Sequence, residues 1–480
     1  MDYRSIYKVL GLIGLTLGVF FLSDIAVALY YGEKISSMVI FVVLFFVINF
    51  TVWYRLKEHR VNLRIRESIL LVNLLWALLG VVGAVPLLIY SDISVSSAIF
   101  EAVSGFTTTG ATIYTDIESL PKTVLYHRSL MHWIGGMGIV VLGVGLLSII
   151  NPTGSMGLFK AEATGIVLEK LTPKIKDTAL RLWGVYIVLT LTDTILLKLF
   201  GMSWFDAINH AFSTISTGGF STRNSSIGAF DSDAIIWITT IFMLLSGVNF
   251  MAHLKMLYGD PQGYRSEEFR WYIGVFLSLS LLVTMTHDLV DGDSIYHSMM
   301  HSSFTIASIM TTTGFASIDY SRWSHVAIAS IFIAMFIGAN AGSTAGGVKV
   351  IRYVVIFKTL FAEFKRILHP NAMISVFIDG KKLKERILAS TFGFFTLYII
   401  TATTITLYIY ASDYDAMTAI SASLAIVGNI GPGFSLVGPA ENFAFFSDFD
   451  KLFLSIGMIV GRLECYTLFV LFSSSFWKKF

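Results

Sequence analysis

Long apolar blocks separated by short polar segments dominate this chain. Ten of them, at roughly 9–31, 38–54, 69–90, 131–150, 183–201, 234–254, 271–287, 325–347, 387–410 and 452–475, approach or reach the ~20 residues that a helix needs to cross a bilayer core. The pattern predicts an all-α polytopic membrane protein with ten crossings. The basic start MDYRSIYK runs into an apolar stretch that continues to Tyr31 with no small-residue cleavage site, so the first span is expected to be retained. With the N-terminus inside, the segments 1–8, 55–68, 151–182, 255–270, 348–386 and 476–480 hold 26 of the 34 lysines and arginines. Only six fall on the outer side, and Lys198 and Arg462 lie within spans. That asymmetry orients the chain with both termini cytoplasmic.

Composition agrees. Of 480 residues, 55% are hydrophobic and 14% charged, and mean hydropathy is +0.72. A soluble chain would carry about a quarter charged residues, so a water-facing globule is excluded. The single cysteine, Cys465, rules out an internal disulfide or a thiolate metal cluster.

The outer segments hold a repeat. Four stretches begin with a half-length apolar segment and end in small polar residues and glycine: AIFEAVSGFTTTGAT (98–112), DAINHAFSTISTGGFST (206–222), YHSMMHSSFTIASIMTTTGFAS (296–317) and DAMTAISASLAIVGNIGPGF (415–434). Their cores are read as Thr108-Thr109-Gly110, Ser216-Thr217-Gly218, Thr312-Thr313-Gly314 and Asn429-Ile430-Gly431. Each unit starts and ends on the same side, which makes the repeats parallel. The implied divisions are 1–65 (two N-terminal spans), 66–155, 156–258, 259–370 and 371–480.

Non-helical backbone within the hydrocarbon layer must be buried in protein or line a water-filled cavity. Four re-entrant strands around one axis would meet that demand, with carbonyl oxygens replacing the hydration shell of a small cation. The C-terminal ends of the four short helices would add partial negative charge. No Asp or Glu lies in the four tripeptides, so a carboxylate site for Mg²⁺ or Ca²⁺ is poorly supported. Uncharged oxygens suit a monovalent ion such as K⁺, and the residues alone do not separate K⁺ from Na⁺.

The eighth span is interrupted by Gly338, Gly342, Gly346 and Gly347 beside Asn340, Ser343 and Thr344. Two readings stand: close packing of small residues, or an unwound gating segment below the filter. GSTAGGVK is not a phosphate loop, because Val348 occupies the lysine position and no hydroxyl residue follows Lys349. Arg462, deep in the last span, should face the interior or water, where it would act as an electrostatic barrier to cations. Glu464 is a weak partner for it, being two residues on and off its helical face. Asp193 and the histidines 132, 210, 297 and 301 are minor candidates for proton or sodium coupling, with His132 and Trp133 read chiefly as packing or interfacial residues. No nucleophile–base pair is legible, so an enzyme is not expected. The basic inner stretch 348–386 suits a cytoplasmic partner or anionic lipid head groups.

The motifs GFTTTGA (105–111), RSLMHWIGGMGI (128–139), STISTGGFST (213–222), MTTTGFAS (310–317), GSTAGGVKVIR (342–352) and GNIGPGF (428–434), with Arg462 in GRLE, resemble the Trk/Ktr/HKT potassium transporter superfamily from about residue 65 onward. The two extra N-terminal spans resemble its bacterial Trk-type transmembrane subunit. The resemblance implies a pseudo-fourfold pore and K⁺ uptake across the bacterial inner (plasma) membrane. It further implies a homodimer and a cytoplasmic nucleotide-binding regulatory subunit of TrkA type. No organic cofactor and no nucleic acid are implied. By the same resemblance Gly110, Gly218, Gly314 and Gly431 are filter glycines, 342–347 is a gating loop and Arg462 lies beneath the filter. Glycine at 110, where some plant relatives carry serine, points to K⁺. Asn429-Ile430 and Pro432 depart from the other three filters. A proton- or sodium-coupled symporter remains the alternative.

Overall fold

The computed structural model describes residues 1–138, 175–291 and 294–478. It is an all-α polytopic membrane protein in which six helices among the described residues are long and apolar enough to cross a bilayer. These are Tyr3–Tyr31, Ser36–Arg55, Ile65–Tyr90, Ile175–Leu199, Glu267–Asp291 and Glu385–Ala411. Two further helix pairs would cross as bent spans, Asp233–Ser246 with Phe250–Leu257 (95°) and Asp448–Arg462 with Tyr466–Phe472 (108°). The β structure among the described residues is a hairpin of two-residue strands, Phe377–Ile378 and Lys381–Lys382.

Ten straight crossings are therefore too many, for identifiable reasons. The 234–254 segment turns at Gly247–Asn249, where the Asn249 side chain accepts from the Met251 amide (2.8 Å) and starts a new helix. The 452–475 segment turns at Glu464 and Cys465, both at positive φ (52° and 60°). The 325–347 segment is helical only over His325–Phe336 and then unwinds. The 131–150 segment enters as Lys122–Gly136, and its continuation lies outside the described residues.

Between spans sit four short helices, Val95–Phe106, Trp204–Ile215, Ile295–Met310 and Ala416–Val427. A 12-residue helix rises only ~18 Å, too little to cross. All four start the same way. Ser94, Ser203, Ser294 and Asp415 each accept from the amide three residues on (Ser97, Asp206, His297 and Thr418) at 3.0–3.3 Å. Such caps satisfy one of the free amides at each helix start. Past their exposed first turns these helices are buried along nearly every face, unlike the spans, whose outer faces carry exposed Leu, Ile and Phe along their length.

Buried apolar side chains form two main clusters. One joins the N-terminal spans to the first and fourth short helices, and the other surrounds the second and third. The N-terminal spans are tied inward by His127, which bridges Asp24 Oδ2 (2.9 Å) and the Gly83 carbonyl oxygen (3.1 Å). Glycines set the closest approaches. A Cβ on Gly135 would sit 1.9 Å from the Phe106 carbonyl oxygen, so the helix Lys122–Gly136 touches the end of the first short helix backbone to backbone.

Gly135→Ala is accordingly expected to force the two helices apart and lower stability by roughly 1–3 kcal/mol, the usual cost of overpacking. Thermal unfolding of the detergent-solubilised protein measures this. An unchanged midpoint would show that the contact yields.

Candidate functional site

All four short helices end in the same turn. The cap residues Thr107, Ser216, Thr311 and Gly428 remain right-handed, and the next residues, Thr108, Thr217, Thr312 and Asn429, are left-handed with φ of 52–56°. Their amides donate to Gly105, Thr214, Ile309 and Ile426 at 3.0–3.2 Å. The following amides, of Thr109, Gly218, Thr313 and Ile430, donate five residues back to Ser104, Ser213, Ser308 and Ala425 at 2.8–2.9 Å. This is the Schellman closure, which glycine or asparagine usually makes. Three threonines in that conformation are strained by about 1–3 kcal/mol each.

Two residues after each left-handed position stands a glycine at positive φ: Gly110 (80°), Gly219 (84°), Gly314 (79°) and Gly431 (99°). The second set thus reads Thr217-Gly218-Gly219, one residue later than Ser216-Thr217-Gly218. Ser216 takes the place of Thr107 and Thr311, its Oγ donating to the Phe212 carbonyl oxygen (2.7 Å). The doubled glycine hid the register in the sequence. Gly218 is small for another reason, since a Cβ there would meet the His132 ring at 2.3 Å.

The four glycines approach one another in order. A Cβ on Gly110 would lie 2.2 Å from the Gly218 carbonyl oxygen, one on Gly219 1.9 Å from that of Thr313, and one on Gly314 2.2 Å from that of Ile430. A Cβ on Gly431 would lie 2.6 Å from the carbonyl oxygen of Thr109, which returns the sequence of contacts to the first turn. All four glycines line one pocket of about 100 Å³, with Arg128, Arg223 and Glu441 at its polar wall. Among the described residues, no backbone amide donates to the carbonyl oxygens of 108–110, 217–219, 312–314 or 429–431. The amides turn back to the helices and the oxygens are left over.

On the opposite side of the turns, the unwound segment 337–349 packs against three of them. Gly346 N donates to Thr312 Oγ1 (2.7 Å), Thr344 Oγ1 to the Ile215 carbonyl oxygen (3.1 Å), and a Cβ on Gly346 would meet the Gly428 oxygen at 2.7 Å. The segment closes on itself through Gly338 N to Val348 O (2.8 Å) and Val350 N to Ala339 O (3.1 Å). It is fastened laterally by Asn340 N to Gly247 O, Phe250 N to Gly342 O (both 3.0 Å) and Ala341 N to Glu268 Oε1 (2.6 Å). Gly342 and Gly347 have positive φ (75° and 65°), whereas Gly338 and Gly346 are constrained by backbone oxygens 2.7–2.9 Å from a Cβ. Close packing thus accounts for Gly338 and Gly346, and the unwound backbone for Gly342 and Gly347.

Arg462 reaches the same place. Its Nη1 donates to the Thr344 carbonyl oxygen (3.0 Å) and its Nη2 to those of Gly135 (2.9 Å) and Gly136 (3.3 Å). The positive charge thus sits on the negative end of the helix Lys122–Gly136, a favourable placement. Glu464 pairs instead with Arg352, whose guanidinium lies 3.7 Å from the Phe394 ring centroid. Sequence spacing did not show that pair, because a turn rather than a helix face presents Glu464. Asp193 is buried in the span Ile175–Leu199. His210 is accounted for by the Asp206 carbonyl oxygen (2.8 Å) and Ser221 Oγ (2.9 Å), and His301 by Ser317 Oγ (2.8 Å). His132 packs on Phe220 at 4.1 Å between ring centroids, with Nδ1 donating to the Gly105 carbonyl oxygen (2.7 Å).

In the outward segment after the first turn, burial and then the nearby Glu101 carboxylate push the Tyr114 hydroxyl up to about 12. It therefore stays neutral and donates to Ser91 Oγ (3.1 Å). Glu101 and Arg128, buried behind the same segment, were not singled out in the sequence. The available signal was an acid inside a short apolar segment and a base opening the next.

Known proteins match this chain end to end. The TrkH family, described as cation transport protein, matches residues 34–270 and 269–479. The Trk system potassium uptake protein TrkH of Salmonella typhimurium is 38% identical over 491 residues, covering all of both chains. The Trk system potassium uptake protein TrkG of Escherichia coli is 35% identical, with 95% of each chain covered. The crystal structure of the potassium transporter TrkH from Vibrio parahaemolyticus superposes with a TM-score of 0.88 at 34% identity, again over the whole of both chains. The chain belongs to the TrkH family of cation transport proteins and is a multi-pass transporter of the bacterial inner membrane, not an enzyme.

Proposed function

We propose that the chain carries K⁺ into the cell through a path formed where the four glycine turns meet. Its ligands are the carbonyl oxygens of Thr108, Thr109 and Gly110, Thr217, Gly218 and Gly219, Thr312, Thr313 and Gly314, and Asn429, Ile430 and Gly431. The units 66–155, 156–258, 259–370 and 371–480 are then four parallel repeats with pseudo-fourfold symmetry about that path, and residues 1–65 flank them. One observation carries the reading. Backbone oxygens that accept from no backbone amide are gathered at four successive contacts around one pocket. Oxygens so placed can replace the water around an alkali ion, and the short-helix ends behind them favour positive charge. The potassium uptake named for the relatives at 38% identity gives the ion.

In this reading the segment 337–349, with Gly338, Gly342, Gly346 and Gly347, obstructs the path from the cytoplasmic side, and Arg462 both fastens it and repels cations. Its hydrogen bonds to 344 and to 135–136 support that role. Opening requires those bonds to break together. The exposed lysines 381, 382 and 384 on the inner side suit a cytoplasmic nucleotide-binding regulatory subunit of TrkA type, with the transporter itself a homodimer. Coupled symport with H⁺ or Na⁺ is the second reading. It draws on Asp193, fully buried with no cationic partner among the described residues. The dependence of reversal potential on the H⁺ and Na⁺ gradients separates the two.

Rubidium uptake into proteoliposomes tests the path. Gly219→Ala and Gly314→Ala each place a methyl group against a neighbouring carbonyl oxygen and are expected to cut uptake at least about tenfold, since more than ~1.4 kcal/mol of ion stabilisation is at stake. Wild-type uptake in both would remove the assignment.

Arg462→Ala is expected to raise uptake, by about tenfold for each ~1.4 kcal/mol that its bonds contribute to the closed segment. The same assay at equal protein density reads this, and an unchanged or lower rate counts against the barrier.

A further inference from the structure

The four turns are tied to the outgoing chain in different ways. In the second repeat His210 Nε2 meets Ser221 Oγ (2.9 Å). In the third, Ser308 Oγ donates to the Phe315 carbonyl oxygen (2.7 Å). In the fourth, Ser421 Oγ accepts from the Phe434 amide (2.9 Å) and donates to its carbonyl oxygen (3.2 Å). Each of these ties is neutral and stays within one repeat.

The first repeat uses an ion pair that is buried at both ends. Arg128 Nε donates to Glu101 Oε1 at 2.7 Å, and both side chains are at most 1% exposed. Glu101 also accepts from Thr112 Oγ1 and from the Ile113 amide, both at 2.9 Å. Arg128 spends its remaining donors on the Thr112 hydroxyl and, across the boundary, on the Ser221 carbonyl oxygen, both at 3.1 Å. Its guanidinium lies 4.1 Å from the ring centroid of Phe220, the residue after Gly219. Thr112 and Ser221 each stand two residues beyond a glycine of the ring. Two further ion pairs near the turns share Arg223, which is 38% exposed: the one to Asp206 (3.1 Å) lies within the second repeat, and the one to Glu118 (3.6 Å) crosses to the first between exposed side chains.

A buried ion pair is not in itself a source of stability, because desolvation offsets its attraction. What it supplies here is geometry. A planar guanidinium fork bonded to three fixed partners sets the distance and angle between two strands. We propose that Glu101 and Arg128 are specificity-determining positioning residues. They hold the outgoing strands of the first and second turns at a fixed separation, so that the oxygens at the outer mouth fit K⁺ and cannot contract onto the smaller Na⁺. The proposal rests on the ion-path reading and adds to it an unequal division of labour. Discrimination is set chiefly at the junction of repeats one and two, and the other three junctions follow.

The test uses the full-length protein in proteoliposomes and measures the Na⁺ and K⁺ concentrations that halve rubidium uptake. Glu101→Gln keeps the shape and removes the charge, and Arg128→Lys keeps the charge and loses the fork. Each is expected to lower the Na⁺-to-K⁺ ratio of half-inhibitory concentrations, roughly tenfold for Glu101→Gln, the equivalent of about one charged hydrogen bond. Arg128→Lys should fall between it and wild type. Thr112→Val, which removes only the hydroxyl shared by the pair, is expected to move the ratio the same way by less. It decides the matter if neither charge variant folds. A wild-type ratio in every folded variant overturns the proposal. Gly219→Ala is the control. If it alters uptake while the brace variants keep the wild-type ratio, only the brace is wrong. If Gly219→Ala is also indistinguishable from wild type, the ion path itself is misplaced.

Discussion

Backbone that leaves a helix inside a membrane has to account for both its amides and its carbonyl oxygens, and this chain settles the two separately. At each of four helix ends the Schellman closure returns the amides to the helix. The oxygens of the next residues then receive no backbone amide among the described residues, and they lie in close contact with the neighbouring turn. The glycines at 110, 219, 314 and 431 make that contact possible, because no side chain fits within 1.9–2.6 Å of a carbonyl oxygen. Strained threonines and crowded oxygens are costly unless something compensates them, and the dehydrated cation of the proposed path would do so. The strain and the proposed function therefore have one origin.

The elements around the turns follow from holding them in place. The short helices are capped by side chains at their starts and closed by the turn at their ends, so neither end leaves its polar groups to chance. Behind them the spans approach closely through Gly80, Gly83, Gly105, Gly135, Gly247 and Gly461. Below them the unwound segment supplies its own amides and hydroxyls to the turns, and Arg462 joins that segment to the end of the helix Lys122–Gly136. A single guanidinium thus links the last span, the unwound segment and the helix Lys122–Gly136. Arg352 with Glu464 continues the connection toward the inner surface, along the helix Val350–Leu368 that carries the basic stretch. Movement of that helix would be felt at the unwound segment through packed side chains and one ion pair.

Much of this was legible in the order of residues. Apolar block length identifies the membrane class, and the distribution of lysine and arginine orients it, because both reflect transfer free energies that act on each segment separately. The half-length segments followed by threonine and glycine mark the four turns for the same reason. What only tertiary structure decided depends on groups meeting across the chain. Two straight spans became bent ones, because Asn249 starts a new helix and Glu464 and Cys465 turn left-handed. The second tripeptide moved by one residue, since two adjacent glycines both permit the turn and only the Thr313 oxygen selects Gly219. Glu464 went to Arg352 rather than Arg462, and the Glu101–Arg128 pair emerged from residues that spacing alone does not connect. Hydropathy and charge are sums over neighbours in sequence, whereas register, bends and ion pairs are set by neighbours in space.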